Sequence, residues 1–351
     1  MHWQNIHIIP NDKFTNPYIE FINENFDKDK HCFLILGEGI GSDIQLDDNI
    51  FQINKDFKSI LELIIRINRA HKIHLHGLFH PQLIFLLYLQ PWTLNKCNWI
   101  IWGGDLYLYT QTSKGFSDRI YEHLRKFVIK RLKSITTHIK GDYKLAQSWY
   151  NTRADYFYSF MYPSNLFKPV DLTKLDKNKD YFYVQVGNSS DPSNNHLEVF
   201  DHLEKHKEKK IKIICPLSYG DKEYKNLIIK EGEKRFGDQF VPLTDFISLK
   251  DYLNILAKID VAIFNHKRQQ GLGNITTLLG LGKKVYIRDD VTTWDFCKEH
   301  GLTVFSTNHG YEDLFIPLDE NIKHLNQRVM KVSFSEEKLV KDWEKIFDSG
   351  V

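Results

Sequence analysis

Short apolar runs recur along this chain, each closed by a polar or glycine-bearing turn and followed by a stretch with helical spacing. The runs fall at residues 6–9, 32–36, 73–75 and 98–102, and again at 181–186, 211–215, 239–243, 261–264 and 284–287. Helical stretches at 17–26, 59–70 and 83–89 separate the first set; stretches at 195–205, 221–236 and 248–258 separate the second. Short strands spaced by helices pair most readily in parallel, because each helix carries the chain back across the sheet. The alternation predicts an α/β chain with parallel sheets covered on both faces. Its 351 residues exceed one ordinary core and suit two. We therefore expect two doubly wound, Rossmann-like domains facing a cleft, at 1–165 and 180–334. The Pro- and Lys-bearing segment 166–179 is the expected linker, and an amphipathic helix within 335–351 is expected to pack back on the first domain.

Composition narrows the class further. Hydrophobic residues are 42% and charged residues 26%, a globular profile. The formal net charge of +2 provides no global field for nucleic acid. Cys32, Cys97, Cys215 and Cys297 are scattered without Cys-x-x-Cys spacing, which favours free thiols in a reducing compartment. The amino-terminal stretch lacks the charge and apolar run of a signal peptide, and no apolar run approaches the ~20 residues of a membrane span. A cytoplasmic protein is expected.

Ligands of parallel sheets sit at the carboxyl ends of strands, so the turns there matter most. After the run 261–264, a polar turn containing Lys267, Arg268, Gln269 and Gln270 reaches Gly271, Gly273 and Asn274, and a helical stretch follows. Strand, glycine turn and helix start form an anion cradle, in which free N–H groups and the Arg268 charge meet a phosphate. The plain alternative is a strand–loop–helix connection with surface charges. Gly187, Asn188 and Ser189 close another run of the same domain and are expected to face the cradle; helix capping is their other reading. Gly37 to Gly41 resembles half a dinucleotide fingerprint, but it follows the second strand and opens no helix. A loop over the cleft is the better reading there, with a nicotinamide site as the alternative.

Residues 119–133 carry an apolar stripe of Ile120, Leu124, Phe127, Val128 and Leu132. Arg119, Arg125, Lys126, Lys130, Arg131 and Lys133 surround it. Such a helix suits an anionic membrane surface, or equally a domain helix with snorkelling charges.

Four motifs occur in order: His76-Gly77-Leu78-Phe79-His80-Pro81, Trp99 to Tyr107 with Trp102-Gly103-Gly104-Asp105 inside it, Val186-Gly187-Asn188-Ser189-Ser190-Asp191-Pro192-Ser193, and Arg268-Gln269-Gln270-Gly271-Leu272-Gly273. With them the chain resembles the TDP-N-acetylfucosamine:lipid II N-acetylfucosaminyltransferase family over nearly its whole length. The resemblance implies a GT-B architecture, with an acceptor domain followed by a donor domain. It implies transfer of a deoxy-amino sugar from a nucleotide diphosphate, TDP-linked in that family, to a polyprenyl-pyrophosphate-linked saccharide, and no cofactor. It also implies peripheral attachment to the cytoplasmic face of the inner membrane, which favours the membrane reading of Arg125, Lys126, Lys130 and Arg131. A non-catalytic sugar-nucleotide-binding protein of the same two-domain form is the alternative.

Sugar transfer needs stabilisation of a departing diphosphate and removal of a proton from the acceptor hydroxyl. The one Asp-x-Asp triplet, Asp27-Lys28-Asp29, reads as a solvated turn, so no metal is expected and the cradle from Arg268 to Asn274 is expected to hold the diphosphate. Gln269 and Gln270 can fix sugar hydroxyls or a base. Tyr219, Leu243 and Thr244, with Phe246 beside them, are candidates for the nucleobase. Asp105 is the first candidate for proton acceptor, with His76 and His80 next. Helix capping or a buried structural role is their other reading, and Asp105 becomes an acceptor-binding group if the reaction retains anomeric configuration.

Overall fold

The computed structural model describes residues 3–37, 47–110, 115–169 and 177–349. The chain divides into two compact units. The first runs up to Leu166 and resumes at Glu336; the second is Phe167–Ser335.

Among the described residues, the first unit holds a seven-stranded, fully parallel sheet. Its strands are β1 (Asn5–Pro10), β2 (His31–Leu36), β3 (Ile50–Ile53), β4 (Lys72–His76), β5 (Cys97–Ile100), β6 (Ser134–Thr136) and β7 (Asp155–Phe157). Their order is β3-β2-β1-β4-β5-β6-β7. The helices are α1 (Thr15–Asn25), α2 (Phe57–Arg69), α3 (Pro81–Leu89), α4 (Gly104–Tyr107), α5 (Phe116–Ile129) and α6 (Lys140–Tyr150). Alternate strand residues pack an apolar core: Ile6, Ile8, Leu34, Ile73, Leu75, Trp99 and Ile135 meet Leu63 and Ile67 of α2, Ile84 and Leu87 of α3, and Val128 of α5.

The opposite face of this sheet is polar yet buried. His7, His31, His74, His76, Asn98 and Thr136 lie on it, each 2% exposed or less. The C-terminal helix (Glu336–Asp348) and Tyr18 of α1 cover them. Trp343 donates its indole N–H to the Met161 carbonyl at 3.0 Å, and Lys72 Nζ donates to the carbonyls of Ile346 at 2.8 Å and Phe347 at 3.0 Å. Lys72 thereby satisfies carbonyls that the helix end leaves without backbone partners.

The second unit holds, among the described residues, a six-stranded parallel sheet ordered β10-β9-β8-β11-β12-β13. The strands are β8 (Phe182–Val186), β9 (Ile211–Pro216), β10 (Phe240–Leu243), β11 (Val261–Phe264), β12 (Lys284–Ile287) and β13 (Phe305–Ser306). Helices α7 (His196–Leu203), α8 (Lys222–Phe236), α9 (Leu249–Lys258), α10 (Leu272–Gly280), α11 (Thr292–Glu299) and α12 (Glu320–Ser333) connect and cover them. Strand order reverses between β1 and β4 in one sheet and between β8 and β11 in the other. These switch points are where the connections leave in opposite directions and open a crevice.

All four cysteines are buried and unbridged, and burial pushes the thiols of Cys32, Cys97 and Cys297 up to about 12. Among the described residues, no helix is long and apolar enough to cross a membrane.

Candidate active site

In the second unit the switch point lies between the loop after β8 and the loop after β11, and it gathers most of the residues singled out in that half. Asn194 ties the two loops together. Its Oδ1 accepts from Asn188 N at 2.9 Å and sits 3.0 Å from His266 Nε2. His266 Nδ1 in turn lies 3.1 Å from the Gln270 carbonyl, and Lys267 N donates to the Ser193 carbonyl at 2.9 Å. Burial lowers the His266 pKa to about 3, so the ring is neutral and acts as a spacer.

Gly271 is the N-cap of α10, with φ +67. A Cβ there would lie 2.8 Å from His266 Cε1 and 3.0 Å from Asn188 Oδ1, so only glycine brings the helix start this close to the β8 loop. Beside it Asn274 accepts from Tyr252 OH at 2.5 Å, which joins α10 to α9. Among the described residues, Asn188 Oδ1 and Gln270 Nε2 are buried atoms without a hydrogen-bond partner. Unpaired buried polar atoms are costly, and their concentration at a switch point is the mark of a polar ligand site.

Arg268 is not a lone cation. Its Nη2 donates to Asp191 Oδ2 at 2.9 Å, and Nη1 donates to the Gln269 carbonyl at 3.2 Å. Burial alone would raise the Asp191 pKa, but hydrogen bonds from Ser193 and the Arg268 charge hold it below the usual carboxylate range. The pair fixes the guanidinium beside the turn. Tyr219 OH accepts from Asn188 Nδ2 at 2.7 Å, and its ring lies nearly parallel to that of Phe246, 6.4 Å between centroids and 16° between planes. Both rings are well exposed. Leu243 ends β10, and its carbonyl accepts from Leu217 N at 2.8 Å; the Thr244 carbonyl accepts from Lys225 Nζ at 3.0 Å. Ser189 is buried, with Oγ 3.3 Å from Asn194 Nδ2.

In the first unit, the geometry corrects the picture of Asp105 and His76 as groups open to an acceptor. Asp105 is fully buried. Its Oδ2 accepts from Leu78 N at 3.0 Å and Trp99 Nε1 at 2.6 Å, and its Oδ1 accepts from Trp102 N at 3.0 Å. Burial raises its pKa against the pull of those donors and of Arg125. His76 is also fully buried: Nδ1 lies 2.6 Å from Tyr162 OH and Nε2 lies 3.3 Å from His7 Nδ1. Burial takes it to about 3. His80 differs. It is half-buried at the N-cap of α3, and burial first, then the Lys55 charge, lowers its pKa, so the imidazole is neutral at neutral pH.

Arg125 is likewise corrected as a membrane-facing cation. It is fully buried in α5 and donates to the Leu78 carbonyl at 2.5 Å, the Asp105 carbonyl at 2.6 Å and Tyr150 OH at 3.1 Å. Arg131 lies over the Phe127 ring and Lys126 near the Tyr109 ring, while Lys130 is exposed. Asp27 to Asp29 form an exposed turn ahead of β2, at the amino end of the sheet. Of the glycine cluster at 37–41, Gly37 follows β2 and residues 38–46 lie outside the described residues. Asp191, Asn194, His266 and Tyr252 are the site residues that sequence reasoning missed. Asp191, Asn194 and His266 stand close in sequence to the glycine turns, whereas Tyr252 lies within α9 and had no local signal.

Two Rossmann-like units with parallel sheets define the GT-B class of glycosyltransferase fold, and solved structures share it at low identity. HepE of Anabaena in complex with UDP and glucose is similar with a TM-score of 0.71 at 13% identity, over 99% of this chain and 100% of that one. The E. coli trehalose-6-phosphate structure bound with UDP-2-fluoro glucose gives 0.67 at 10% identity, over 99% of each chain. The N-terminal domain of Candida albicans trehalose-6-phosphate phosphatase gives 0.67 at 10% identity, over 99% and 97%. The family of 4-alpha-L-fucosyltransferases, glycosyl transferase group 56, matches residues 16–350, and this chain belongs to it. It is a glycosyltransferase.

Proposed function

We propose that the protein moves a deoxy-amino sugar, N-acetylfucosamine-like, from a nucleotide-diphosphate donor to a polyprenyl-pyrophosphate-linked saccharide in bacterial surface polysaccharide assembly. TDP is the first choice of nucleotide. The observation that carries the donor half is the second unit's switch point, where one turn carries the Arg268 guanidinium, the unpaired Gln270 Nε2 and the Gly271 N-cap of α10. All three offer hydrogen-bond donors to a diphosphate as its charge develops, with no metal required. Gly187, Asn188, Ser189, Gln269 and Asn274 border the sugar, and Tyr219, Leu243 and Thr244 border the base. The nucleotide-bound state of HepE supports the same use of this fold.

On the acceptor side His80 is the proton acceptor we propose, because it is neutral, half-exposed and at a strand's carboxyl end. Asp105 acts through the backbone it holds. The protein works at the cytoplasmic face of the inner membrane, as a peripheral protein on an anionic surface.

A thermal-shift and calorimetric comparison of TDP, UDP and GDP tests the donor reading. TDP should raise the melting temperature, and Arg268→Ala should weaken TDP by about 10- to 100-fold, the loss of one charge-assisted bond or two. His80→Gln should abolish turnover with TDP affinity kept. If none of the three nucleotides stabilises the protein, the donor site is misassigned.

A further inference from the structure

We propose that Phe79, backed by Trp102 and Phe14, is the platform on which a pyranose ring of the acceptor saccharide stacks; this rests on the transferase reading above. The three rings stand in the connections that follow β4, β5 and β1, the strands on either side of the first unit's switch point. Phe79 and Trp102 meet edge to face, 5.9 Å between centroids and 70° between planes; Phe14 meets Trp102 at 5.9 Å and 85°.

The platform is built rather than incidental. Trp102 is pinned at both ends: its Nε1 donates to Tyr162 OH at 2.6 Å and its backbone N donates to Asp105 Oδ1 at 3.0 Å. Phe79 lies on bare backbone. A Cβ at Gly77, whose φ is +74, would come within 2.6 Å of Phe79 Cε2, and one at Gly104 within 3.6 Å of Cε1. Glycine at both places lets the ring lie down over the strand ends, and the residue nevertheless stays 37% exposed. An aromatic ring held in place and left open to water at a ligand-binding edge of a sheet lacks its other half.

The polar groups around it suit a sugar. A pyranose offers an apolar C–H face for a ring and hydroxyls at its rim for polar groups in reach. Phe14 follows Asn11 and Asp12. Asn11 Oδ1 is buried with no hydrogen-bond partner among the described residues, and Asp12 Oδ1 accepts from Phe14 N at 3.2 Å. Next to Phe79 stands His80, close enough to Gly37 that a Cβ there would lie 3.8 Å from its Cε1. Polar groups thus come from the same connections that carry the rings: Asn11 and Asp12 from that of Phe14, and His80 from that of Phe79, where it can meet a hydroxyl of a stacked sugar.

The test is saturation-transfer NMR on the full chain with octyl β-glycosides of glucose, galactose, mannose and their N-acetylamino counterparts. At least one glycoside should show ring-proton saturation. Phe79→Ala should reduce it about fivefold or more, and Phe79→Tyr should retain it. TDP affinity should stay within about twofold in both variants, since their change lies outside the donor unit. Undiminished saturation in Phe79→Ala, or none in the wild type with any glycoside, overturns the platform. Failure of TDP, UDP and GDP alike to bind the wild type instead sinks the donor reading and leaves the glycoside result standing.

Discussion

A single carboxylate, that of Asp105, organises the carboxyl ends of β4 and β5. It gathers the Leu78 amide, the Trp99 indole and the Trp102 amide, and Arg125 holds the Asp105 and Leu78 carbonyls from the other side. Phe79, His80 and Trp102 hang from that framework. Asp105→Asn keeps one acceptor oxygen and turns an NH₂ toward a donor in either orientation, because both oxygens are occupied. We expect it to cost about 2–3 kcal/mol in unfolding free energy, the penalty for stranding buried donors. Urea denaturation checks this, and TDP affinity should be unchanged. A variant as stable as the wild type would remove Asp105 from the scaffold.

At the scale of elements, α3 and α5 pack side by side, with the rings of Tyr88 and Phe127 in contact at 4.7 Å. Their outer surfaces and the turn between β5 and α3 leave large apolar residues in water: Phe85, Leu89, Trp92, Phe116 and Ile120, with Trp92 at 61% and Phe116 at 80% exposed. The proposed membrane contact is therefore carried by apolar side chains from several elements, with Lys126, Lys130 and Arg131 as flanking charge. Trp92→Asp combined with Phe116→Asp should lower co-sedimentation with anionic liposomes by about tenfold or more, from lost apolar burial. Binding equal to the wild type ends that assignment. The helical spacing of α5 did contain the fate of Arg125, since it shares a stripe with Tyr121 and Val128, but a cation on an apolar stripe reads as a rim charge until its carbonyl partners are seen. β11 was legible because both of its faces are apolar, as in the run 261–264, whereas β1 and β4 showed only the apolar residues that flank His7 and His74. The strand β6 was not: Ser134 and Thr136 both donate to Asn98 Oδ1 at 3.0 Å, so the strand is buried against polar partners and leaves no apolar run. The Asp191–Arg268 pair joins residues 77 apart, and no local pattern announces it.

For the whole molecule, the buried histidine layer sets the response to acid. His7 contacts His31 at 3.0 Å, His76 at 3.3 Å and Tyr18 OH at 3.2 Å, and His74 lies 3.1 Å from Asn5 Oδ1 and 3.2 Å from Asn98 Nδ2. Burial lowers all four histidines, His31 to about 4 and His76 to about 3, with neighbouring imidazoles adding to the effect on His7 and His74. The flanking ionisable groups include Lys72 under the C-terminal helix, Asp27 and Lys30 near His31, and Tyr18 and Tyr162, whose own pKa values burial raises. The sign follows directly. Folding favours the neutral rings, so their stability is complete above the unfolded value of 6.5 and is lost as pH falls below it toward the folded values. Each ring costs about 1.4 kcal/mol per pH unit in that window. We expect the urea midpoint to be nearly flat from pH 7 to 8 and to fall steeply from pH 6 to 5, with unfolding near pH 5.5 taking up at least about two protons. The C-terminal helix covers the layer, so hydrogen exchange in Glu336–Asp348 should accelerate over the same range. Replacing His31 by Gln should lower the proton uptake by about one, because that ring no longer titrates. A midpoint that stays level down to pH 5 would mean that these rings are hydrated or charged in the folded protein, and that the polar face of the first sheet is open to water instead of sealed by its last helix.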